Sequence, residues 1–175
     1  MDERIRIDDT VTAWAATVPD LDVVTMRTGL LLSRTLALGG LRVEAAFAEC
    51  GLTSGEFDVL ASLLLAPDHT SKPSDLARDG MLSPAGMTHR LDLLEKAGHV
   101  ERTPDPDDRR STRITLTAAG RELAVKAARA HVAAEADLLA ALDESDRRVL
   151  DRLFGKLLAS LSEPARPNPV GSDDR

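Results

Sequence analysis

The sequence predicts a mainly α fold, of α+β type, in which one two-stranded hairpin is set between long helices. Three observations carry that prediction. Leu and Ala dominate the chain, whereas aromatic residues make up 2%: one Trp, three Phe and no Tyr. Leu and Ala are strong helix formers, while sheets lean on aromatic and β-branched residues. Capping residues and helix breakers divide the chain at helical lengths. Finally, apolar spacing turns from helical to alternating only once, between His99 and Leu116.

The elements follow in order. A short helix over residues 8–16 carries Trp14, and Pro19-Asp20 marks a turn. A Leu-rich helix over 21–50 follows, with Gly39-Gly40 as a candidate break and Gly51 as its stop. Thr53 with Glu56 three residues later forms a capping box, and Phe57, Leu60, Ala61 and Leu64 recur at helical spacing until Pro67-Asp68. A short helix over 73–78 ends at Gly80. Ser83 caps the next helix, with Pro84 in the favoured first position, and Gly98 ends it. Residues 99–103 and 112–116 read as strands with Val100, Ile114 and Leu116 pointing inward. The polar loop between them, Pro104 to Ser111, is interrupted by two prolines and should stand away from the core. Thr117 caps an Ala-rich helix to about residue 142. Asp143 caps a last helix through Leu161, with Val149, Leu150, Leu153 and Leu157 on one face.

Short helix, tight turn, second helix, then hairpin is the order of a winged helix-turn-helix. Four regions result: N-terminal helices over 1–50, the winged unit over 51–117, C-terminal helices over 118–161, and a Pro-rich tail over 162–175 expected to be disordered. In such a unit the second helix enters the major groove of DNA. Met87, Leu91 and Leu94 form its buried stripe, which turns Ala85, Thr88, His89 and Asp92 outward. Ser83, Ala85 and Gly86 are small enough to let the helix sit deep. Thr88 and His89 can contact base edges or phosphate. Arg90 lies on the border of the stripe, where it either reaches the groove or folds back. Arg109 and Arg110 at the hairpin tip, with Arg113 in the next strand, suit a narrow minor groove. Asp108 is placed to hold Arg110 extended.

The net charge of -7 argues at first against DNA. Split along the chain, it does not. Residues 72–121 hold nine basic and eight acidic residues, net +1, leaving 13 basic and 21 acidic elsewhere, net -8. Screening confines fields to roughly 8 Å, so a locally basic face can still dock on phosphate. One cysteine, Cys50, excludes an internal disulfide framework and a multi-cysteine zinc site. The His residues show no metal-ligand spacing, and no phosphate-cradling loop or catalytic triad pattern is present. No metal, cofactor or enzymatic activity is therefore expected. Without a secretory signal or a span of ~20 apolar residues, a cytoplasmic location is expected, with no membrane partner.

The runs Leu52-Thr53, Glu56-Phe57-Asp58-Val59-Leu60, Leu76-Ala77, Met87-Thr88-His89-Arg90-Leu91-Asp92, Leu94 to Arg102, Asp105 to Arg110, Ile114 to Thr117 and Gly120 resemble the multiple-antibiotic-resistance regulator (MarR) family. The resemblance covers about residues 52–120. It implies a homodimeric transcriptional regulator, expected to be a repressor, that binds a pseudo-palindromic operator. The terminal helices would form the dimer interface, and a small ligand would weaken DNA binding. Leu93 departs from the family, which often has a basic residue there.

The urate-responsive branch of the family is a narrower resemblance. It implies an effector site at Trp14, Asp58, Arg90 and Arg102. Two arginines can clamp a planar anion such as urate, and Trp14 can stack on it. Trp14 also fits as a core or dimer anchor. Two other readings stay open: a thiol-redox repressor of the same fold using Cys50, and a winged-helix interaction module that does not bind DNA. Glu49 beside Cys50 disfavours its thiolate, and the double-Arg hairpin disfavours the module.

Overall fold

A computed structural model describes residues 3–80, 83–106 and 111–162. The chain comprises two compact units, 1–135 and 136–175. In the first, helices α1 (Glu3–Thr17), α2 (Val23–Glu49) and α3 (Ser54–Leu65) are followed by a two-residue strand β1 (Thr70–Ser71). Helices α4 (Pro73–Asp79) and α5 (Pro84–Lys96), strands β2 (Val100–Pro104) and β3 (Thr112–Leu116) and helix α6 (Ala118–Leu138) complete the series before α7 (Glu144–Ser162). This is the mainly α, winged helix-turn-helix architecture that the sequence predicts.

Local chemistry sets the boundaries. Asp22 caps α2: one carboxylate oxygen accepts from the Val24 and Thr25 amides at 3.1 and 3.0 Å, the other from the Thr25 hydroxyl at 2.6 Å. Thr53 and Glu56 close the capping box of α3. Ser83 Oγ accepts from the Gly86 amide at 3.1 Å and starts α5. Thr117 Oγ1 accepts from the Gly120 amide at 3.0 Å and starts α6. Gly51 and Gly98 take left-handed backbone angles just past α2 and α5, as their stop positions predict.

Four differences from expectation stand out. The first helix starts at Glu3, five residues before residue 8. The diglycine does not break α2, which runs unbroken to Glu49 with Gly39 buried inside it. Its 24 non-glycine residues outweigh the roughly 1 kcal/mol that each of its three glycines costs a helix. Helix α6 ends at Leu138 rather than near 142. The turn beyond it is closed by Arg147, whose guanidinium donates to the Leu139 and Leu142 carbonyls at 3.0 and 3.3 Å. The hairpin is a three-stranded antiparallel sheet in the order β1-β3-β2, with Thr70 opposite Thr115 and Val100 opposite Leu116. The tail from residue 163 lies outside the described residues.

The core sits under this sheet. Leu60 and Leu63 of α3, Leu91 and Leu94 of α5 and Ile114 of β3 are all at most 2% exposed. Phe47 of α2 stacks on Phe57 of α3 with centroids 4.5 Å apart, and His131 of α6 packs on both rings. Ala124 and Ala127 of α6 are fully buried in the same cluster. The winged unit thus draws core residues from helices on either side of it. At Gly120 the first turn of α6 meets the end of the α5–β2 connection so closely that a Cβ would overlap the His99 carbonyl oxygen. The same carbonyl accepts from the Thr117 amide at 3.1 Å.

Two predictions follow from these contacts. Gly120→Ala forces backbone against backbone and should destabilise the chain by about 1–3 kcal/mol, read as a lower urea midpoint. The Asp22 carboxyl is held below its ordinary value of 3.8, chiefly by the Thr25 hydroxyl and then by the Thr25 amide. A depressed folded pKa makes the cap's contribution present above 3.8 and lost as pH falls through the lower folded value. Protection of the Val24 and Thr25 amides, relative to their intrinsic exchange rates, should therefore fall selectively on acidification below pH 3.8, and Asp22→Asn should remove that pH dependence.

Candidate nucleic-acid interface and effector site

Helix α5 divides its residues by face. Met87, Leu91 and Leu94 are 1–2% exposed and fix the helix to the core. Ala85, Thr88 and His89 are exposed on the other side, with the Ser83 cap at the helix entrance. Leu93 is exposed there as well, at 43%. The sequence-derived reading face is thus presented to solvent as one surface. A Cβ at Gly86 would meet Ser83 Oγ at 3.3 Å, tighter than usual contact.

Arg90 folds back. Its guanidinium lies over the first turn of α3, where a Cβ on Gly55 would overlap it. Among the described residues it forms no ion pair. The arginine therefore rests on the amide end of a helix, which carries partial positive charge and prefers an anion. Asp58, one turn further along α3, is exposed. The cavity beside it, lined by Asp58, Val59, Ser62, Leu76, Gly80 and Met87, has a volume of about 10 Å³. That is space for about one water.

Arg102 is committed elsewhere. Its guanidinium bridges from β2 to α5, reaching Asp92 at 2.6 Å and Glu95 at 3.1 Å. Trp14 of α1 is 48% exposed. Among the described residues no hydrogen bond, ion pair or ring contact joins Trp14, Asp58, Arg90 and Arg102 to one another. Arg90 and Asp58 share the face of α3 that begins at Gly55, and Arg102 is held to α5, the helix that carries Arg90.

At the hairpin, Arg113 Nε donates to Asp105 Oδ1 at 3.1 Å, and Lys72 Nζ lies 2.9 Å from Asp105 Oδ2. Asp105 is 1% exposed. Sequence reasoning missed Asp105 and Lys72 because 33 positions separate them and each reads as an ordinary loop charge. Asp108, Arg109 and Arg110 lie outside the described residues. Cys50 is half-buried against the core at the end of α2.

Residues 52–112 match the MarR family. The HTH-type transcriptional regulator PecS of Dickeya dadantii is 35% identical over 159 residues, covering 90% of this chain and 95% of PecS. The chain belongs to the MarR family. A second MarR-family protein, Rv2887 of Mycobacterium tuberculosis, has been solved in complex with DNA. It is 36% identical with a TM-score of 0.61, over 74% of this chain and 95% of that one. The same protein solved with p-aminosalicylic acid gives 37% identity and a TM-score of 0.59, over 74% and 96%. No described helix of this MarR-family chain is long and apolar enough to cross a membrane.

The Arg90 contact yields a test. Gly55→Ala should displace the Arg90 guanidinium from α3 while leaving the fold intact, because the atoms it meets are the end of a flexible side chain. The expected result is a shifted Arg90 Nε–Hε resonance with a melting temperature within a few degrees of the unaltered chain, about the effect of ≲1 kcal/mol.

Proposed function

We propose that this chain is a ligand-responsive transcriptional repressor that binds a pseudo-palindromic operator as a homodimer. The observation that carries the reading is the two-sided α5. Its inner stripe is buried to 1–2%, and Ser83, Ala85, Gly86, Thr88 and His89 lie at its entrance and outer side, in a chain whose hairpin sequence carries Arg109, Arg110 and Arg113. Rv2887, solved with DNA, supports DNA as the partner of this chain. Arg109, Arg110 and Arg113 would serve the minor groove, with Asp108 orienting the wing arginines.

Dimerisation is supported by apolar residues left on the surface. On α2, Leu32, Leu36 and Leu41 are exposed. On α7, Val149, Leu153, Leu157 and Leu161 recur every four residues, each 44–79% exposed. Contiguous exposed apolar surface marks a contact with another protein surface, and an isologous pairing of like helices would cover both sets.

The effector is proposed to be a small anionic aromatic compound such as urate. Trp14, Asp58, Arg90 and Arg102 would contribute to its site. Rv2887, solved with p-aminosalicylic acid, supports that ligand chemistry. In this conformation the space at Asp58 holds only a water, and Arg102 is neutralised by two carboxylates. An entering anion would therefore compete with Asp92 and Glu95 for Arg102 and draw Arg90 off α3. Because Arg90 belongs to α5, that movement would couple the effector to DNA by about 1–3 kcal/mol.

A labelled duplex from the promoter of its own gene tests the reading by fluorescence anisotropy. Binding should weaken linearly with salt on a log–log plot, and Arg109→Ala/Arg110→Ala should flatten that slope by about 2. Urate should lower the affinity about 5–150-fold. Absence of any binding at low salt would refute the repressor reading; salicylate acting where urate does not would reassign the effector.

A further inference from the structure

We propose that Lys72 is a positioning residue for DNA readout, tying the neck of the wing to the front of the helix-turn-helix through the buried Asp105 carboxylate. This rests on the DNA-binding reading above. Among the described residues Asp105 is the one charged residue that is buried. It stands immediately after β2, and its amide donates to the Ser111 carbonyl at 3.0 Å, so residues 105 and 111 form the neck of the loop. A carboxylate taken out of water must be matched by cations and hydrogen bonds.

Among the described residues, the cations given to Asp105 come from different elements. Arg113 belongs to β3, inside the hairpin, and reaches Oδ1 at 3.1 Å. A contact within the hairpin cannot set where the hairpin stands relative to α4 and α5. Lys72 can. It is the residue between β1 and Pro73, the first residue of α4, and its ammonium reaches Oδ2 at 2.9 Å. Leu76 and Ala77 of α4 pack with Met87 and Leu91 of α5 in the core, so Lys72 is anchored to the body that carries the recognition helix. A pair of this kind adds little net stability, but removing one partner leaves a buried charge unmatched, so the neck of the hairpin is held to the segment that carries Lys72. The Lys72–Asp105 contact thus converts a buried charge into a fixed wing angle.

The sign of one substitution separates this from simple charge attraction. Asp105→Asn removes a negative charge, so a purely electrostatic account gives tighter DNA binding. The latch gives weaker binding, by about tenfold, within the range of one lost groove contact. Lys72→Met should weaken binding similarly, and Lys72→Arg should restore most of it. Footprints of the full chain on its own promoter supply the second readout. Hydroxyl-radical protection in the outer minor groove should fade while guanine N7 protection in the major groove persists. A general loss of structure would remove both. Should Asp105→Asn or Lys72→Met fail to fold, Lys72→Met/Asp105→Asn leaves neither of those charges and should show the same weakening and the same selective footprint. Binding by that double variant or by Asp105→Asn at unaltered or greater strength overturns the proposal, as does joint loss of both protections. The unaltered chain failing to bind DNA at all would instead remove the DNA-binding reading itself.

Discussion

Burial of Met87, Leu91 and Leu94 is the constraint on which the rest of the first unit depends. Three apolar side chains on one stripe set the rotation of α5 about its axis, and that rotation decides which residues face outward. Leu60 and Leu63 of α3 and Ile114 of β3, buried in the same core, fix the depth of the helix. Rotating α5 by one residue would carry this stripe out of the core and bring either Thr88 and Asp92 or Arg90 and Leu93 into it. The outward placement of Thr88 and His89 is therefore a consequence of core packing, not of any property of those two side chains.

Much of this was legible from sequence because the signals are local. The Thr53–Glu56 box, the Ser83 cap and the Thr117 cap each lie within three residues of their partners, and the helical stripe of α5 within eight. What was not legible is non-local or too short. A two-residue strand, Thr70–Ser71, has no alternation to read, and its pairing partner lies 45 positions away. The left-handed backbone at Asp68 and His69 that turns the chain into it involves no glycine. Asp105 looked like a solvated loop residue. Its burial follows from tertiary packing that brings Lys72 and Arg113 to it.

The candidate effector residues show the same boundary. Residue types could be matched to a family branch, but side-chain partners could not. Arg102 already has two carboxylates, and Arg90 lies across α3 at a position only a glycine leaves open. An arginine resting on the amide end of a helix is poised for an anion that satisfies both. The proposed coupling draws on that unsatisfied geometry, and the charge pairs of Arg102 set the competition an effector must win.

The strand order β1-β3-β2 carries a temporal consequence. The β2–β3 pair closes a local loop and can form early, whereas β1 reaches the sheet only after some 45 residues of chain have been gathered in. By that loop-closure argument the edge strand β1 is expected to pair after the hairpin, and it is the strand that immediately precedes Lys72. A wing can exist as a hairpin before it has a fixed direction. On that order, the contact that we propose to set its direction forms after the hairpin itself.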